Sequence, residues 1–162
     1  MLATLALSLA LVTSGVEPPG PCDLLTREAA SGLLGQQAAT PAPSGPEPDE
    51  DTGGTRTTCV YQAGTRMLIL VRIAYASPAA AREATTRELV EERYGEGEDD
   101  FTITEEPGLG DKAYWAHNPR AAEFIVVKGA NVLGLILGGM PKEPSTYRAQ
   151  LRGATVMAAT KL

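Results

Sequence analysis

Hydrophobic positions fall along this chain in runs of two periods, and the changes of period mark its elements. Met67 to Tyr75, MLILVRIAY, is almost wholly apolar, as a central strand buried on both faces is. Thr57 to Gln62 precedes it, and Ala63-Gly64-Thr65 between the two runs completes a hairpin pattern. Further on, Phe101 to Glu105, Lys112 to His117, Ala121 to Lys128 and Val132 to Gly138 read as strands. The last three are joined by Asn118-Pro119 and Gly129-Ala130-Asn131, turn sequences that predict an antiparallel meander. Steps of three and four then place Tyr147, Leu151, Ala154, Ala158 and Leu162 on one stripe of a C-terminal helix.

Two more helices are predicted upstream. Thr26 is placed to cap the first, Leu25 and Ala30 hold the hydrophobic-staple positions, and Gly35 fits its stop, with Ala30, Leu33 and Leu34 as the apolar face. Ser77 and Pro78 open the second, expected to run roughly to Tyr94 on a thin stripe of Ala81, Ala84 and Leu89 or Val90. The order is therefore α-β-β-α-β-β-β-β-α. It predicts an α+β domain, a curved antiparallel sheet of about six strands with the helices packed mainly on one face.

Two stretches lack periodicity. Residues 36–56, heavy in Pro, Gly, Thr and acid, are expected to form a flexible loop. Within it, Asp49 to Gly54 faintly resembles a calcium loop, but Gly53 stands at the fifth position where Asp or Asn belongs and Val60 where the closing Glu belongs. The acidic run Glu96 to Asp100 reads as a solvated loop.

The N-terminus changes the picture of compartment. Residues 1–16, MLATLALSLALVTSGV, are an apolar run too short to span a bilayer and are expected to be a signal peptide, leaving residues 17–162 as a single domain. A basic n-region is missing, and a buried N-terminal helix or strand is the alternative. Export would deliver the two cysteines, Cys22 and Cys59, to an oxidising compartment, where they have one pairing open to them. A disulfide between them would bracket the Pro-rich loop. Lipidation of Cys22 and a free reactive thiol are the other readings, but Pro21 and the distance from the apolar run fit a lipoprotein signal poorly.

Composition narrows the function classes more than it selects one. A net charge of -6 and a pI near 4.8 argue against a grip on phosphate backbones, so no nucleic-acid partner is expected. A single His117 cannot build a zinc site, and no GxSxG holds a nucleophilic serine, so neither a metal nor a catalytic set is assigned. Gly108-Leu109-Gly110-Asp111-Lys112-Ala113 matches the letters of a dinucleotide fingerprint, yet AYWAH at residues 113–117 continues as a strand where the fingerprint must open a helix. No cofactor is expected. Asp111, Tyr114, Trp115 and His117 remain as a candidate binding surface, with Trp115 either presenting an aromatic patch or filling the core under the helices.

Cys22-Asp23-Leu24-Leu25-Thr26, Thr58-Cys59-Val60-Tyr61 and Pro107-Gly108-Leu109-Gly110-Asp111-Lys112-Ala113-Tyr114-Trp115, taken in order, resemble a domain-of-unknown-function family of small secreted bacterial proteins and lipoproteins of actinobacterial cell envelopes. The resemblance implies an exported, disulfide-linked α+β domain, often membrane-tethered, with no established activity. On this basis the chain is expected to be a secreted, periplasmic or envelope-associated binding module whose partner is a protein or a small molecule. The alternatives are a hydrolase-type enzyme using His117 with carboxylates, or an inhibitor that neutralises a partner protein.

Overall fold

The computed structural model describes residues 19–95 and 101–162, so the expected signal peptide at 1–16 and the acidic run at 96–100 lie outside the described residues. Among the described residues seven strands form one antiparallel sheet: β1 (Ala42–Pro48), β2 (Thr55–Ala63), β3 (Arg66–Ala74), β4 (Thr102–Glu105), β5 (Lys112–His117), β6 (Ala121–Lys128) and β7 (Asn131–Gly138). They lie in the order β1-β2-β3-β7-β6-β5-β4. The last strand, β7, thus joins the meander to the first hairpin, pairing Leu70 with Leu135 on one side and Phe124 with Leu135 on the other. An α+β fold with a single antiparallel sheet is what the hydrophobic pattern predicts.

Side chains alternate between the two sheet faces, and each face has its own core. On the first face, Leu68, Leu70, Trp115, Phe124, Leu133 and Leu135 are buried beneath α1 (Arg27–Leu34) and α4 (Arg148–Ala159). The second face carries Ile73, Tyr114, Ile125, Val127 and Val132, buried with Ala81 of α2 (Pro78–Glu83) and Val90 of α3 (Arg87–Gly95). Among the described residues two helices therefore lie on each face of the sheet, not mainly on one face as the pattern predicts, because both sheet faces are apolar.

The first helix forms where its capping residues predict. The Thr26 hydroxyl accepts the Ala29 N–H at 3.2 Å, and Gly35 ends the helix at φ 70°, a left-handed conformation that costs glycine little. The Arg66 guanidinium donates to the Leu34 carbonyl, satisfying a carbonyl that the last helical turn leaves open. A disulfide joins Cys22, in the turn ahead of this helix, to Cys59 on β2. Tyr61, two residues along the same strand, donates its hydroxyl to the Leu25 carbonyl at 2.5 Å.

Two local features depart from the sequence pattern. The stretch 36–56, expected as a flexible loop, contains β1, which pairs with β2 as the seventh strand at the sheet edge. An edge position tolerates prolines, and the register shifts between Ser44 and Glu47 where the ladder is interrupted. The helix expected from Pro78 to Tyr94 is two helices. Thr85 turns its hydroxyl back on the Ala81 carbonyl at 2.9 Å and Thr86 accepts the Leu89 N–H at 3.4 Å, so one helix ends as the next is capped. Leu89 faces solvent, and Val90 makes the buried contact.

Candidate functional site

Strand β6 reads AAEFIVVK, and its interior residues Ala122 to Val127 are all buried. Glu123 among them is 6% exposed. Its register partners are Ala116 on β5 and Ile136 on β7, so no basic residue stands beside it in the sheet. Period-two alternation points the carboxylate to the second face. There Tyr94, from the last turn of α3, donates its hydroxyl to Glu123 Oε2.

Burial pushes the Glu123 carboxyl up to about 7, against the opposing effects of the Tyr94 hydrogen bond and the positive charge of Arg93. A group with that value changes its charge near neutrality. Burial also drives the Tyr94 phenol well above its ordinary value, and the neighbouring carboxylate adds to the effect. Tyr94 therefore stays a hydrogen-bond donor.

Glu123 forms part of the floor of a cavity of about 220 Å³ between the sheet and α3. Val71, Ile73, Ile125, Val132 and Ile136 make it apolar, and Asp49, Asp51, Arg56 and Arg93 add charge around it. Asp49 serves the β1–β2 turn: its carboxylate accepts the Thr52 hydroxyl at 2.6 Å and the Arg56 Nε–H at 3.0 Å. Burial pushes its carboxyl upward, but the bonds from Thr52 and Arg56 prevail and hold it below the usual value. The faint calcium pattern at this turn is thus an internally bonded turn.

The residues singled out from the sequence lie elsewhere. Asp111 is exposed and its Oδ2 accepts the Gly129 N–H at 2.8 Å, tying the start of β5 to the β6–β7 turn. Tyr114 is buried on the second face, where its hydroxyl lies 3.4 Å from the Thr85 carbonyl. Trp115 is buried on the first face, with the Phe124 ring 4.7 Å away, the His117 ring 5.6 Å away and the Arg148 guanidinium 5.7 Å from its centre. The strand therefore divides Tyr114 from Trp115 and His117 across the sheet, and no shared aromatic patch results. Of the two readings of Trp115, its 2% exposure matches a core side chain.

Asp111 and His117 stand at opposite ends of β5, about 20 Å apart at the rise of an extended strand. They do not converge on a reaction centre. Gly108 and Gly110 adopt φ of 74° and 65°, and a Cβ on Gly110 would collide with the Val127 carbonyl. The GLGDKA sequence is a tight turn into a strand.

Glu123 was visible in the sequence as a lone acid inside an apolar strand. That signal marks a carboxylate with either a dedicated partner or a ligand.

No family model and no curated protein matches this chain. Among solved structures it is similar to the extracellular domain of PknH from Mycobacterium tuberculosis, with a TM-score of 0.55 and 11% identity. The match covers 91% of this chain and 100% of that one. At that identity the likeness shows a common fold.

Proposed function

We propose that this protein is a non-catalytic binding module that works outside the cytoplasm and holds a small molecule in the second-face cavity above Glu123. The observation that carries this reading is the burial of a carboxylate at the floor of a cavity, among Val71, Ile125, Val132 and Ile136. A buried ionisable group costs several kcal/mol unless it is compensated, and the phenol of Tyr94 compensates only one of its oxygens in part. A cavity that combines apolar side chains from the sheet with a few charged groups and an anchoring carboxylate has the form of a small-ligand site. Export is supported by the Cys22–Cys59 disulfide and by a fold also used by an extracellular domain.

The test is a chemical-shift titration of the disulfide-bonded chain with a panel of small amines, alcohols and carboxylates. Shifts gathered on Tyr94, Glu123, Ile125 and Val132 support the cavity. Shifts gathered instead around Gly108, Asp111 and Lys112 would move the site to the loop before β5 and overturn this reading.

A further inference from the structure

The apolar surface of the second face continues beyond the cavity. Register pairs Glu123 with Ile136, Ile136 with Ile69, and Ile69 with Val60, so these four residues form one row across β6, β7, β3 and β2 on the second face. At the usual spacing between strands the row runs about 14 Å from the carboxylate to Val60. Ile136, Ile69 and Val60 are all half-buried, and Met67, beside Ile69 on the same face, is 41% exposed. The helices α2 and α3 cover the other end of this face, around Ile73, Val127 and Val132. A buried acid at one end and an apolar track that, among the described residues, no helix covers make a surface matched to an amphiphile.

We propose that this site binds a linear primary amine, with its ammonium group on Glu123 and its alkyl tail over Ile136, Ile69 and Val60. The proposal rests on the binding-module reading above and adds the chemical class of the ligand. Charge favours a cation. Arg56 is paired with Asp49 at 3.0 Å and Arg93 is exposed, whereas Glu123 is enclosed, so the buried charge that a ligand can compensate is negative. Among the described residues the groups around Glu123 are Tyr94 and Arg93 from α3, Arg56 from β2, and Asp49 and Asp51 from the turn before it; β5 and β7 present only Ala116, Gly134 and Ile136. An ammonium group requires the ionised carboxylate, so a protonated Glu123 must lose its proton as the amine enters.

Calorimetric titration of the disulfide-bonded chain with n-octylamine, n-octanol and octanoate, at pH 6 and pH 8, tests this. Octylamine is expected to bind at least about tenfold more tightly than octanol at pH 8, and to lose about tenfold at pH 6, where most of Glu123 holds its proton. Glu123→Gln is expected to abolish both the preference and the pH dependence while octanol binding persists, which shows that the cavity is still formed. Equal affinity for octylamine and octanol at pH 8 overturns the amine and leaves the binding module standing. Preference for octanoate assigns the site to Arg93 and Arg56 and overturns it as well. A dimer that octylamine does not dissociate, with Ile69 and Val60 protected, puts a second copy on the track and overturns it. Failure of all three ligands at millimolar concentration overturns both the amine and the binding module.

Discussion

Gly134 on β7 leaves the space that the Glu123 carboxylate fills: a Cβ there would lie 2.5 Å from Oε1 and 3.8 Å from the Val71 Cβ. The glycine is not needed for its backbone, since its φ is not positive. It is needed for its lack of a side chain. Gly134→Ala is therefore expected to displace the carboxylate and destabilise the fold by about 1–2 kcal/mol, in spite of the gain from removing a strand glycine. Gly153, in α4, has nothing within 4 Å of an added Cβ. Gly153→Ala is expected to stabilise by about 1 kcal/mol, and urea unfolding of the two variants compares them directly.

The raised value of Glu123 fixes the sign of its effect on stability. Between its ordinary value of 4.5 and about 7, the folded protein holds a proton that the unfolded chain has released, so stability falls as pH rises through this window and is level above it. Glu123→Gln has no such proton. The stability of the native protein relative to this variant is expected to drop by something on the order of 3 kcal/mol from pH 4.5 to pH 7.5. Thermal melts of the pair across that range measure the difference, with the other carboxylates cancelling.

Glu106 behaves in the opposite sense. Its carboxylate takes hydrogen bonds from Arg148 at 2.6 Å and Arg152 at 2.9 Å, joining the segment after β4 to α4. Burial pushes its carboxyl up, but the two guanidinium groups hold it below the ordinary value. The stabilisation is complete above the ordinary carboxylate range and is lost as pH falls through the lowered folded value. Because both arginines are well exposed, Glu106→Gln is expected to cost only about 1 kcal/mol at pH 7 and less in high salt. Denaturant melts at low and high ionic strength give the comparison.

Tyr61 and the disulfide fasten the N-terminal segment to β2 in two chemically different ways. The bridge spans 37 residues, which on the chain-entropy account stabilises the fold by about 4 kcal/mol. Replacing both cysteines by serine is expected to loosen α1 first and to leave the meander and α4 protected, as read by hydrogen exchange. Uniform loss of protection would contradict this. Tyr61→Phe leaves the buried Leu25 carbonyl without its hydroxyl partner and is expected to cost about 1–3 kcal/mol, with the early exchange again confined to the N-terminal segment.

The meander was legible because its turns and its strands agree. Asn118-Pro119 and Gly129-Ala130 interrupt runs of apolar residues, and the strands β5 and β6 have the bounds that those interruptions predict. The seventh strand was hidden because APSGPEP has neither alternation nor β-forming residues, and it is held by its neighbour β2 in place of any core of its own. The break between α2 and α3 depends on which oxygen the Thr85 hydroxyl finds, a local choice that apolar spacing does not encode. The candidate site was half visible. A lone Glu inside AAEFIVVK is apparent in one dimension, but its cavity requires α3 and the distant residues Val71 and Gly134 to be brought over it. By contrast, the GLGDKAYW stretch attracts notice by its composition and spends its residues on a turn and on two separate cores.

The span between Cys22 and Cys59 includes all of β1, whose seven residues are exposed at the rim of the sheet. Outside a cell, such a rim is where hydrolases in the surroundings would first cut. A cut there leaves two polypeptides still joined through sulfur, with the shorter piece held at Cys22 and the cavity on the far side of the sheet from that bond. The bridge thus makes this protein able to lose the continuity of its backbone at its most accessible strand and remain one particle.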